Sequence, residues 1–219
     1  MLFAVVAVVA CKVSTNLDQV IALDITVPYG GQVEFKDTIV PGARALNGHG
    51  DSVQADFKWV SLSTNLVVLD SATGATLGDA TGTGTLQAQV GPLRSNPVTV
   101  TVIPRVDSAQ AIPPDRDTVI VSQPDSLSDT LSVQLFASPS AAVNRKVVFT
   151  ATTYPASGPT VTFVPRDTVS SNSSGVALVQ LKFLGGTVPD SVIVTASVRR
   201  PDGTPIPGPN ASFVVEFRP

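Results

Sequence analysis

Few residues in this 219-residue chain are of a type that could do chemistry, and their spacing limits what they could do. The one histidine, His49, stands in Asn47-Gly48-His49-Gly50-Asp51. A histidine two residues from an aspartate could act as a general base or a metal ligand. A metal site needs three or four ligands, and no second histidine exists to help. The flanking glycines instead describe an exposed loop tip. Nucleophile-plus-base catalysis through histidine is nearly excluded by count. No Gly-x-Ser-x-Gly elbow or phosphate loop appears, so the chain reads as non-enzymatic, with no catalytic or metal residue assigned. Acidic residues gather at Asp107, Asp115, Asp117, Asp125 and Asp129. Calcium would need their oxygens to converge, and they read first as acidic strand ends, with a Ca²⁺ site as the alternative. Arg199-Arg200 precedes a Pro-Asp-Gly turn and reads as a solvated strand end. With a net charge of −3 and no basic patch, nucleic acid is not an expected partner. The lone thiol, Cys11, cannot form an intramolecular disulfide.

The elements that must position these residues are strands. Charged residues are only 14% of the chain, against about 25% in an ordinary globular protein. Valine and threonine, both stiff at χ1, are abundant, and 18 prolines and 16 glycines punctuate the sequence. No stretch sustains a 3.6-residue apolar period. The expected class is all-β.

Ile21, Leu23, Ile25 and Val27 fall on one face of a strand. Residues 32–40 form a second expected strand and residues 41–51 a long Gly-rich loop. Residues 52–62 form a strand with Val53, Ala55, Phe57 and Trp59 on one face. Residues 66–69 follow, then the alternating sets Leu86, Ala88, Val90 and Val98, Val100, Val102. That is about seven strands with turns every ~8–12 residues, the pattern of an Ig-like sandwich with Trp59 as core anchor. Residues 105–117 read as a polar linker stiffened by Pro113-Pro114. A second unit, 118–219, alternates at Leu131, Val133, Leu135, at Ala177, Val179, Leu181, Phe183, and at Phe213, Val215, Phe217. The expected architecture is two tandem Ig-like β-sandwiches, 18–104 and 118–219, behind a short apolar N-terminal segment, 1–17.

Residues 2–10 are apolar throughout and Lys12 closes the run. A membrane-spanning helix needs about 20 such residues, so the length fits a secretory signal core instead. Val8-Val9-Ala10-Cys11 resembles the lipobox of bacterial lipoproteins. That resemblance implies diacylglyceryl transfer to Cys11, cleavage before it and N-acylation, which gives stable anchoring. The alternative is a retained apolar segment docked on a membrane or partner, with Cys11 unmodified. Gly31-Gln32, Phe57-Lys58-Trp59 with Ser61 and Ser63, and Val68-Leu69-Asp70 make the first unit similar to group 2 bacterial Ig-like domains. Val60 and the enlarged loop around His49 depart from that pattern. Val147-Val148-Phe149, Ser174-Gly175-Val176-Ala177 and Val192-Ile193-Val194-Thr195-Ala196 make the second unit resemble the group 1 domains of invasin-type surface proteins.

These features imply a non-catalytic, membrane-anchored extracytoplasmic protein of the bacterial envelope, acting through its Ig-like domains. Its expected partners are membrane lipid at the N-terminus and another envelope or membrane protein. No cofactor is expected apart from a covalent lipid on Cys11. Two alternatives stand beside this. One is an accessory subunit on the periplasmic face of a membrane complex, energy-transducing complexes included; the other is a carbohydrate-binding or stalk module of a surface adhesin. The last would show solvent-exposed aromatics in a row, whereas aromatics are 5% of the chain and fall mostly at alternating core positions.

Overall fold

A computed structural model describes residues 16–121, 126–156 and 160–219. Cys11 and the lipobox residues Val8, Val9 and Ala10 lie outside the described residues, as does Asp125. Among the described residues no helix is long and apolar enough to cross a membrane.

Eleven strands make the first unit: β1 (Val20–Thr26), β2 (Gln32–Glu34), β3 (Thr38–Ile39), β4 (Gly42–Asn47), β5 (Ser52–Val53), β6 (Lys58–Ser61), β7 (Leu66–Val68), β8 (Thr76–Gly78), β9 (Gly82–Val90), β10 (Leu93–Arg94) and β11 (Val98–Ile103). They form sheets ordered β1-β4-β5, β10-β9-β11-β2 with β6 on β9, and β3-β8-β7. The second unit has β12 (Arg105–Ile112), β13 (Arg116–Ile120), β14 (Leu131–Ser138), β15 (Lys146–Tyr154), β16 (Val161–Val164), β17 (Thr168–Ser170), β18 (Val176–Phe183), β19 (Ser191–Val198) and β20 (Ala211–Arg218). Its two sheets run β12-β14-β18-β16 and β13-β20-β19-β15-β17.

In both units the last strand takes a parallel partner from near the unit's start: β11 pairs with β2, and β20 with β13. The opening strand therefore splits, its first part in one sheet and its second part in the other. This is the two-sheet arrangement of an Ig-like sandwich.

The expected linker is not a linker. Residues 105–112 are β12, paired antiparallel with β14 through Val106↔Ala137 and Ala109↔Leu135. Val106 and Ala109 turn into the core at 0% and 7% exposure. Pro113-Pro114 falls where the chain leaves one sheet for the other, because proline cannot supply the donor a ladder needs. The two sandwiches are separated by Pro104 alone, between Ile103 of β11 and Arg105 of β12.

The expected loop at 41–51 holds β4, the central strand of its sheet. Its inward positions are Ala45 and Asn47, too small or too polar to show as an apolar alternation. The expected strand at 52–62 is two short strands in different sheets, joined by residues 54–57, which belong to neither. Likewise 32–40 breaks into β2 and β3 around Lys36, whose φ is 61°.

The two cores are unequal. One buried apolar cluster fills the second sandwich, from Val106 to Phe217, and includes Phe149 and Phe213. The cluster in the first sandwich is only Val33, Ile39, Leu66, Leu86, Val100 and Val102. Burial of apolar area is the main favourable term in folding, so the first sandwich is the more dependent on other contacts.

Candidate functional site

Trp59 is 3% exposed on β6, where its backbone N–H donates to Ser71 O at 2.7 Å. It lies outside the apolar cluster of its sandwich. Its indole instead covers Gly74 in the turn after β7, so closely that a Cβ there would sit 2.8 Å from ring atoms. His49 is exposed. Its loop is organised by Asn47, 6% exposed, whose Oδ1 accepts from His49 N–H at 3.0 Å and Asp51 N–H at 2.9 Å. The asparagine works as a backbone partner that holds a turn, the usual use of this side chain.

Two of the five acidic residues between Asp107 and Asp129 have local partners. Asp117 accepts from the N–H groups of Thr118 at 2.7 Å and Asp129 at 2.6 Å, and Asp107 lies 3.5 Å from Arg105. Among the described residues no three His, Cys, Asp or Glu side chains come together as a metal site would require.

The most deeply buried ion cluster among the described residues was not read from the sequence. Glu34, at the end of β2, has a fully buried side chain at the junction of the two sandwiches. Arg145 Nη2 reaches its Oε1 at 2.6 Å, and Arg200 Nη1 donates to its Oε2. The arginine side chains are themselves 8% and 11% exposed. Of Arg199-Arg200, expected as a solvated strand end, only Arg199 is exposed: Arg200 is buried against the carboxylate of the other domain. Each oxygen of the carboxylate has a guanidinium, which is what a buried charge requires.

Local structure holds both arginines in place. Arg145 precedes β15, and its N–H donates to Ser171 Oγ at 2.9 Å while Ser171 N–H donates back to Arg145 O at 2.9 Å. Arg145 Nη2 also donates to Arg199 O at 3.2 Å. Burial pushes the Arg145 guanidinium below its usual value, and Glu34 opposes that shift. It stays charged, because arginine's ordinary value is so high. Arg200 opens the β19–β20 turn, where its N–H donates to Thr204 O at 2.8 Å. Asp202 in that turn accepts from Thr204 Oγ1 at 2.7 Å and its N–H at 2.9 Å, and these bonds hold its carboxyl below the usual range.

One signal for Glu34 is present in the sequence. Of 17 acidic residues only Glu34 and Glu216 are glutamate. The extra methylene gives the reach to cross the junction.

Two clefts open beside the triad. One, about 420 Å³, is lined by Arg145, Lys146, Arg199 and Arg200 with Tyr29, Gln32 and Asn144. The other, about 80 Å³, is lined by Glu34, Asp37 and Asp202, again with Tyr29 and Gln32. Tyr29 stands between them. It sits in the turn Tyr29–Gly31 at φ 57°, followed by Gly30 at 62° and Gly31 at 73°. The left-handed region costs a side-chain-bearing residue roughly 1–2 kcal/mol. A larger cleft, about 670 Å³, lies between β15 and β16 under Phe149 and Phe163. It holds Thr160 Oγ1, buried without a hydrogen-bond partner among the described residues.

Strand order and junction together define a tandem pair of Ig-like β-sandwiches joined through a buried ion triad. No family model matches the chain, and no curated protein matches it. Among solved structures it is similar to the Yersinia pseudotuberculosis adhesin InvE, at 18% identity and a TM-score of 0.45. That alignment covers 90% of this chain and 59% of the adhesin structure. Domains 4 and 5 of the S-layer protein SbsC align at 15% identity, covering 92% and 100%, with a TM-score of 0.35. The D00–D0 domain of intimin aligns at 17%, covering 88% and 98%, with a TM-score of 0.32. These are likenesses of fold alone.

Proposed function

We propose that this protein is a non-catalytic spacer and binding module of the bacterial envelope, extracytoplasmic and tethered through lipid on Cys11. The observation that carries the reading is the junction. A spacer must transmit position from its tether to its far end, which needs a fixed angle between modules. Here a single proline joins the sandwiches, and proline's φ is locked near −65°. The Glu34 triad then ties the two modules together far from that link in sequence. The tether rests on the lipobox resemblance of Val8-Val9-Ala10-Cys11.

Mass spectrometry of the protein from native membranes, with and without globomycin, tests the tether. A diacylglyceryl-modified, N-acylated Cys11 as first residue is expected. An unmodified and uncleaved N-terminus overturns it. Spin labels on β9 and β18 test the spacer itself. One narrow distance population is expected, and a broad one overturns a fixed angle.

A further inference from the structure

We propose that the 420 Å³ cleft at the domain junction binds an acidic oligosaccharide, through the carboxylate and one face of a uronic acid unit. The chain as a whole carries −3, yet four of its 14 lysines and arginines line this one cleft. Glu34, buried behind Arg145 and Arg200, neutralises part of that charge. Lys146 and Arg199 are exposed and remain in excess. Lys146 forms no ion pair or side-chain hydrogen bond with any described residue, and Arg199 offers the cleft the donors left over after Nη1 binds Gly203 O at 2.8 Å. An anion entering here meets Arg145, Arg199 and Arg200 already held by hydrogen bonds, so that Lys146 is the one cation to be ordered on binding.

The remaining lining defines which anion. Gln32 and Asn144 are exposed amides whose side chains bond to no other described residue. Each offers a donor and an acceptor, which suits a hydroxyl that needs both. Tyr29 is half exposed and supplies an aromatic face with a hydroxyl at its end. The electron-rich ring face attracts the polarised C–H groups on one side of a pyranose. Its backbone is held in the left-handed region beside two glycines, a conformation a bulky residue seldom adopts unless its placement matters. The volume falls in the range of small-ligand sites, which favour domain interfaces. Ring face, amides and cations together fit a carboxylated sugar. A bare phosphate or sulfate would use the cations and leave the ring and amides idle.

The proposal is independent of the lipid tether. The test is titration of the full chain, followed by amide NMR, with three probes: a trimer of galacturonic acid, the neutral galactose trimer and sodium sulfate. The acidic trimer is expected to shift Tyr29, Asn144 and Lys146 selectively, and to bind more weakly as salt rises. Lys146→Ala is expected to weaken it about tenfold, as loss of one charge-assisted bond would. Tyr29→Leu is expected to abolish binding of the trimer while leaving any sulfate response unchanged. Both side chains are exposed and unpaired, so thermal melting should be unaltered and serves as the folding control. Equal binding of the neutral trimer overturns the proposal. So does sulfate acting as strongly as the acidic trimer, or an absence of shifts at millimolar trimer.

Discussion

Arg145 Nη2 stands 2.6 Å from Glu34 Oε1, across 111 residues of sequence and from one sandwich to the other. Taking such charges out of water costs nearly what their attraction returns, so a buried pair adds little net stability. What it supplies is a relative position. A carboxylate with no exposed surface must find both guanidinium groups, and it finds them at one arrangement of the two domains.

Removing one partner is a different matter from never having the pair. Glu34→Ala should destabilise the protein by about 3–5 kcal/mol, because two buried guanidinium groups lose their carboxylate. Glu34→Leu combined with Arg145→Met and Arg200→Leu should recover most of that loss. Urea unfolding followed by the emission of Trp59 measures both. Equal loss in the single and triple variants would show that the triad is a source of stability rather than of geometry.

The angle between the sandwiches should depend on the triad more than on Pro104. Inserting Gly-Ser-Gly-Ser after Pro104 lengthens the loop at small entropic cost, since closure grows only with the logarithm of length. Spin labels on the two sandwiches should still report one narrow distance. The same insertion with Glu34→Ala should give a broad one.

Gly74 lies at φ 81°, and the indole of Trp59 fills the space where a Cβ would stand. Gly74→Ala should cost about 1–3 kcal/mol from overpacking, in addition to the left-handed backbone strain. Because Trp59 is the only tryptophan, displacement should appear as a red shift of emission.

Hydrogen exchange should separate the two sandwiches. The amides of β19, between β15 and β20 over the larger core, should be the slowest to exchange. Those of β1 should be among the fastest, since its burial is partial and Ile21 is 59% exposed. Glu34→Ala should speed exchange in the first sandwich far more than in the second.

Two aspartates give the acid limb its sign. Asp202 is held below the usual carboxylate range by the Thr204 hydroxyl, and Asp70 by the Ala72 N–H, with the Thr73 hydroxyl next. A carboxyl whose folded value is depressed stabilises the fold above its unfolded value, near 3.9, and that stability is lost as pH falls through the folded value. Asp202→Asn should therefore flatten the fall in melting temperature below about pH 4. The effect should be modest, since both groups are solvated.

Much of the fold was legible because strand alternation is a local property. β14, β15, β18, β19 and β20 each show their buried face in the sequence, as Phe213, Val215 and Phe217 do for β20. β4 was hidden because alanine and asparagine fill its inner face, and local pattern cannot tell a small buried residue from a loop residue. β12 was hidden because its polar residues and the Pro113-Pro114 pair after it look like a linker, although the prolines mark where the chain leaves one sheet for the other. The identity of Trp59 as a buried aromatic followed from alternation; its contact with Gly74 did not, since that depends on the turn after β7.

The sequence by itself determined the all-β class, two sandwiches, and the scarcity of groups that could do catalysis, because composition and period are carried by the chain one residue at a time. Only the tertiary structure decided where the sandwiches meet and what lies there. Glu34, Arg145 and Arg200 are far apart in the chain and ordinary in their local settings. A charge's meaning depends on what surrounds it in space: folding removes these three from water together and leaves Lys146 and Arg199 facing solvent beside Tyr29.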